Sequence, residues 1–439
     1  MDRALILAAL LALAAPALAA PPPLPDEARN RSLGVASCAS SLCHGSVQPW
    51  REARVLQNEY VTWSRSDRHA HAYETLLSER SAAIARKLGL SQPANEASVC
   101  LACHAHDVPP ARRASGFVLA DGVGCEACHG PAERWIKPHV EPPASRAKLL
   151  PLGLYPVWQP MARTRLCLGC HFGNAQKLVT HRMMAAGHPR LSFEIDTFMH
   201  IQPTHYGAAR GSDGDAITQG VRAWSLGQAL AAIQLLELLG NPTRGRDGMF
   251  PELVLFDCNA CHHRMSESRN AGARLGVGPG VVRLNDANLL LLPHIVRRLD
   301  GTAADELARE TSRLHAAIAG AGDPLAQAAR LRGAIEKLLP SMEQHKFTAT
   351  DLRAILFAVI DQGLAGQYSD YSGAEQAAMG IEALVDFMTR RGLLRVATVQ
   401  RPMRELLAAA ANDEAYAPER LTRALRELRR AVEGEGGIE

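Results

Sequence analysis

Apolar positions in the second half of the chain recur at helical spacing, with no strand-like alternation. Leu307, Thr311, Leu314 and Ile318 repeat every three or four residues, as do Leu331, Ile335, Leu338 and Met342. The same period runs through Leu352, Ile355, Leu356 and Val359, and through Ile381, Leu384, Val385 and Met388. Residues three and four apart share one helix face, so each stripe predicts a helix with one buried side. Ser372 with Glu375 has the form of a capping box, and Gly392 stands where that helix should stop. Pro418 opens a last helix with Leu421, Leu425, Leu428 and Val432 on one face. An earlier helix is expected over residues 218–239, with Val221, Trp224, Leu226, Leu230, Ile233, Leu236 and Leu239, closed by Gly240 and Pro242. The fold class is all-α, with a helical bundle over 280–439. Its stripes are read as core, and His294, His315 and His345 as surface or satisfied core residues.

The first half lacks such stripes. It is broken by Pro109-Pro110 and Pro142-Pro143 and by a glycine-rich loop over 207–214. Aromatic residues make up only 5% of the chain, little for a core of 439 residues. At the N-terminus, Arg3 precedes an apolar run from Leu5 to Ala15, and Ala17-Leu18-Ala19 resembles a leader cleavage site. The run is too short to span a bilayer, so residues 1–19 read as a secretory signal peptide. No later stretch is apolar enough for a span, and the mature protein is expected in the periplasm.

The cysteines explain the missing apolar bulk. All ten fall into five pairs, each followed directly by histidine. Four are C-x-x-C-H: Cys100, Cys103 and His104; Cys125, Cys128 and His129; Cys167, Cys170 and His171; Cys258, Cys261 and His262. The first is stretched to C-x4-C-H: Cys38, Cys43 and His44. This pattern marks covalent haem c: two thiols add to the haem vinyl groups, and the imidazole coordinates iron as the proximal ligand. A disulfide framework has no need of a histidine after every second cysteine, and structural zinc joins separated knuckles. Five haem c groups are expected, or four if the stretched motif is unused. Residues 20–270 then form a pentahaem domain of short helices and loops around stacked haems. The formal charge is +3, but about ten propionates would make the assembled protein less basic. No Lys/Arg block suggests nucleic acid.

The other face of each iron decides between carrier and catalyst. Seventeen histidines leave twelve beyond the proximal five. His69 lies in a helical-looking stretch with His71, and His139 follows the third motif by a short loop. His181 and His188 are seven apart, on one face of a continuous helix, although Gly187 and Pro189 suggest that His188 ends it. These four are the leading distal candidates. His106, His200, His205 and His263 complete the set, while Met161, Met183, Met184 and Met199 read as packing rather than axial thioethers.

The run WSRSDRHAHAYETL from Trp63, CEACHGP from Cys125 followed by His139, HPRLSFE from His188 and FDCNACHH from Phe256 resemble the cytochrome c-554 family over roughly residues 30–270. These are periplasmic multihaem cytochromes whose best-known member is a tetrahaem electron carrier. The resemblance implies a mostly helical fold, closely packed parallel and perpendicular haem pairs, and distal roles for His69, His139 and His188. The fifth motif, the stretched first motif and the C-terminal helices depart from the family, and one haem of its best-known member lacks a distal ligand.

The expected function is electron transfer between redox partner proteins, such as a membrane quinol-oxidising complex or a periplasmic reductase. The alternative is a multihaem oxidoreductase with one open haem, acting on nitrite, hydroxylamine or a tetrathionate-type compound. Its pocket would involve His200, His205 and Tyr206. Against a pentahaem nitrite reductase, no motif ends in lysine. A third reading makes the bundle a docking module for a partner or a second copy.

Overall fold

The computed structural model describes residues 22–50, 53, 55–206, 213–247, 250–262 and 283–435. The expected leader, most of the expected loop over 207–214, and His263 lie outside the described residues.

The fold is all-α, as the periodicity predicts. In the first half the helices are α1 (Glu59–Ser66), α2 (Ala72–Thr75), α3 (Glu79–Leu88), α4 (Ser98–His104) and α5 (Cys125–His129). They continue with α6 (Arg146–Leu149), α7 (Pro160–His171), α8 (His181–Ala186) and α9 (Ile195–Ile201). Then come α10 (Asp213–Gly240), α11 (Ala287–Val296), α12 (Gly301–Ala316) and α13 (Pro324–Gln344). The last four are α14 (Ala349–Leu364), α15 (Tyr371–Arg390), α16 (Val396–Ala409) and α17 (Pro418–Glu433). Among the described residues the only strand pairing within a sheet is a two-residue antiparallel ladder, Arg246–Asp247 against Phe250–Pro251.

One apolar core runs from Leu168 to Val432. Helix α10 lies at its centre, packed against α7, α11, α13 and α15. Its sequence shows why: Val221, Trp224, Leu226, Ala229 and Ala232 fall on several faces, and all are fully buried. A helix that is apolar all round is a buried one. The segment before Leu168 has two small clusters instead, one around Leu76, Ala85 and Leu101 and one around Ala132, Trp135 and Leu149.

Side-chain caps open eight of the helices, and one start differs from expectation. The N-cap of α15 is Asp370, whose carboxylate accepts Gly373 N–H at 2.7 Å. Ser372 is inside the helix and Glu375 is drawn to Arg190 at 2.7 Å. A buried guanidinium, Arg283, holds Asp370 in place and so decides where the helix opens. The reciprocal capping box occurs in α14 instead, between Thr348 and Asp351. Helix α15 closes as expected, with Gly392 at φ 72°.

Glu194 caps α9, accepting Asp196 N–H at 2.9 Å and Thr197 N–H at 2.8 Å while only 1% exposed. Burial pushes its carboxyl up to about 7, against backbone hydrogen bonds that favour the charge. The unfolded chain ionises it near 4.5, so its contribution to stability is greatest below that pH and is lost as pH rises through 7. The loss amounts to about 3 kcal/mol. Glu194→Gln should flatten this part of the stability profile, read by chemical denaturation between pH 4.5 and 8. An unchanged slope would show that the caps, not burial, set this group.

Candidate haem sites

A helical turn brings residues i, i+3 and i+4 to one face, which a C-x-x-C-H motif needs to aim two thiols and an imidazole at one macrocycle. The second motif ends α4, the third forms α5, and the fourth ends α7. The fifth begins on a 3-10 turn, Cys258–Ala260. In the stretched first motif the two extra residues are absorbed locally: Cys43 N–H donates to Ser40 O at 2.9 Å and His44 N–H to Cys38 O at 3.2 Å. None of the ten cysteines is in a disulfide. Gly130 follows the third motif at φ 84°, where a Cβ would meet the carbonyl oxygen of Gly153 at 2.3 Å.

Each motif histidine faces a second histidine from a distant segment. The ring centres are 6.3 Å apart for His44 and His139, 6.0 Å for His69 and His171, and 6.4 Å for His104 and His188. They are 6.4 Å apart for His129 and His205, and 6.2 Å for His181 and His262. An imidazole nitrogen binds a first-row metal at about 2.0 Å and lies about 1.1 Å from its ring centre, so two rings across one metal ion sit about 6.3 Å apart. The residues present therefore fit five haem irons with two histidines each.

The four leading distal candidates all lie in such couples. His69 sits not on a helix but on the turn between α1 and α2, because Asp67 adopts extended backbone and ends α1. His181 is the first residue of α8, and His188 follows Gly187, whose φ of 120° ends that helix. The fifth partner is His205, expected above in a pocket with His200 and Tyr206; it follows Gln202-Pro203-Thr204 in a stretch with no periodicity to mark it. His200 instead pairs with Asp196 at 3.4 Å. His106 is buried and hydrogen-bonded to Ser32 Oγ at 2.8 Å. In the bundle, His315 binds Asp286 at 3.2 Å.

Hydrogen bonds at Nδ1 turn many of these rings so that Nε2 is the free nitrogen, as metal-ligating histidines require. His104 Nδ1 lies 3.0 Å from Ala72 O, His188 Nδ1 2.8 Å from Pro189 O, and His139 Nδ1 against Ile136 O. His44 and His69 use carboxylates instead: Glu59 Oε2 and Asp67 Oδ1, each at 2.9 Å. Burial raises both carboxyls, but the histidine hydrogen bonds and backbone donors outweigh it, so both stay below their ordinary range. Burial pushes His129 and His171 down to about 4, favouring the neutral form that coordinates metal. Sequence reasoning missed Glu59, Asp67 and Glu126. The last lies inside the third motif and accepts Leu33, Gly34 and Ala132 N–H at 2.9, 2.7 and 2.6 Å.

The motifs are interleaved. Cys38 and Cys125 are neighbours that influence one another's ionisation, as are Cys103 and Cys170. Lys177, 10% exposed, spans the second couple, donating to Asp26 Oδ2 at 2.8 Å and to Ala102 O at 3.2 Å. The fifth motif stands on the bundle: Asp257 N–H donates to Arg283 O at 2.8 Å, and Phe256 bridges Leu284.

Residues 37–130, which hold the first three motifs, match the family model of cytochrome c554 and c-prime. No curated protein and no solved structure matches the chain. The chain thus resembles the cytochrome c-554 family over this segment, and the protein is a multihaem c-type cytochrome of electron transfer.

Proposed function

We propose that the protein is a periplasmic electron carrier holding five haem c groups, each between two histidines, and exchanging electrons with redox partner proteins. The observation that carries this reading is the set of five ring couples with centres 6.0–6.4 Å apart. Bound haem supplies a one-electron couple at each iron. Two imidazoles per iron leave no open coordination position, which suits electron exchange rather than substrate binding. The leader over 1–19 supports export, and no described helix is long and apolar enough to cross a membrane. A membrane quinol-oxidising complex and a periplasmic reductase are the partner classes that fit this setting. The bundle over 280–439 serves as the scaffold of the fifth site, with the haem-bearing part over 20–270.

Low-temperature EPR of the oxidised holoprotein, quantified against haem content, tests this. Five haems per chain and only low-spin iron are expected. The ring planes make the test sharper. Three couples cross at 82–84°, whereas His44 and His139 lie at 16° and His181 and His262 at 37°. Perpendicular ligand planes leave two iron d orbitals nearly degenerate and give strongly anisotropic signals. Three such signals and two rhombic ones are therefore expected. High-spin iron amounting to one site in five would overturn the reading.

A further inference from the structure

Two of the ligand histidines differ from the rest in what holds their outer nitrogen. His44 Nδ1 meets Glu59 Oε2 and His69 Nδ1 meets Asp67 Oδ1, both at 2.9 Å. Elsewhere among the described couples, the Nδ1 contacts of His104, His139, His188 and His205 go to neutral backbone carbonyls. Both carboxylates are sheltered, the Asp67 side chain at 5% exposure and the Glu59 side chain at 17%. Neither is free to swing. Glu59 Oε1 accepts Leu56 N–H at 2.7 Å and Gln57 N–H at 3.1 Å. Asp67 Oδ1 also accepts His69 N–H at 3.0 Å, and Oδ2 accepts Gln202 Nε2–H at 3.3 Å. Helix α1 acts as the spacer, with Glu59 as its first residue and Asp67 just past its last. Eight residues set the two charges about 12 Å apart along the axis.

We infer that Glu59 and Asp67 set the potentials of two particular haems, those of the couples His44/His139 and His69/His171, below those they would otherwise have. This rests on the two-histidine reading of those couples. A carboxylate accepting the Nδ1 proton makes the imidazole a stronger base, and low local dielectric strengthens the effect. A more basic ligand favours ferric over ferrous iron. The placement is regular. Cys38 neighbours Cys125, so the first and third motifs adjoin, and Cys103 neighbours Cys170, so the second and fourth adjoin. Each adjoining set therefore holds one iron site with a carboxylate-backed histidine and one without. Glu59 and Asp67 are positioning residues that create a step in potential within each set.

Spectroelectrochemical titration of the full-length holoprotein tests this, comparing Glu59→Gln, Asp67→Asn and Asp67→Glu with the unsubstituted protein. Glu74→Gln is the control, because Glu74 makes the same kind of contact at 3.1 Å to His71, which belongs to none of the five couples. Glu59→Gln and Asp67→Asn should each raise one of five midpoints, a different one in each case, with all iron still low-spin by EPR. Asp67→Glu, which keeps the charge, should restore the original value, and Glu74→Gln should move none. If Asp67→Asn does not accumulate, Glu59→Gln carries the test alone. Unmoved midpoints with low-spin iron, or a uniform shift of all five, would overturn this inference and leave the carrier reading standing. High-spin iron in the unsubstituted protein would overturn both.

Discussion

Replacing His181 by alanine is expected to turn one iron in five from low-spin to high-spin while all thioether-bound haem is retained. His181 is coupled to His262 with ring centres 6.2 Å apart, and no other described histidine lies in that couple. The two histidines come from segments 81 residues apart in the chain. His262 belongs to the segment mounted on the bundle, and His181 opens α8, in the haem-motif half. The start of α8 is tied to the fifth-motif segment a second time, since His181 N–H donates to Glu252 Oε1 at 2.7 Å. That backbone bond survives the substitution, so the fold should persist and the vacant position should take up water. The same α8 segment carries His188, coupled to His104 at the second motif. His188→Ala should accordingly open a different iron, with a different midpoint lost from the titration. EPR at low temperature and binding of an external ligand such as cyanide check both. If His181→Ala left all iron low-spin, the assignment of that couple would be wrong.

Arg283→Met is expected to cost about 3–5 kcal/mol of stability, because it leaves two buried carboxylates without their cation. Arg283 is 3% exposed and lies between Asp370, at close contact, and Asp257 at 3.4 Å. Each carboxylate already caps a helical turn. Asp370 opens α15, and Asp257 accepts Asn259 N–H at 3.0 Å to open the fifth motif. The guanidinium therefore joins the bundle to the fifth motif. Burial is the main cause that pushes the Asp257 carboxyl up to about 6, with the Asp370 charge adding and Arg283 opposing. Without Arg283 that rise grows. The unfolded chain ionises the group near 3.8, so the penalty develops as pH rises from there through 6 and beyond. The variant should be most impaired at pH 8 and recover part of its loss at pH 5. Denaturation of the holoprotein at both values decides it. A loss under about 1 kcal/mol, or a larger loss at pH 5, would show that the cluster is not held by its cation.

What was legible in the chain was whatever depends on neighbours in sequence. The Cys/His motifs span five or seven residues, so a helical turn or short loop suffices to assemble each one. The bundle stripes, the stop at Gly392 and the all-α class were legible for the same reason: period and capping are local. The start of α15 was misread because Asp370 competes with Ser372 as a cap, and Arg283, 87 positions earlier, settles the competition. The helix over 218–239 was expected within residues 20–270; its all-round apolarity fits a buried helix, but its packing against α11, α13 and α15 is decided by the tertiary structure.

The sequence by itself singled out the ten cysteines and five adjoining histidines as the expected haem-attachment set, because motif spacing is a property of the chain. Only the tertiary structure decided which second histidine faces which first one. His44 and His139 are 95 residues apart, and His205 sits in a stretch with no pattern to single it out. The same holds for Glu59 and Asp67. Their residue type was visible, but their action depends on 2.9 Å contacts to ring nitrogens, and hydrogen bonds act over distances that folding alone sets.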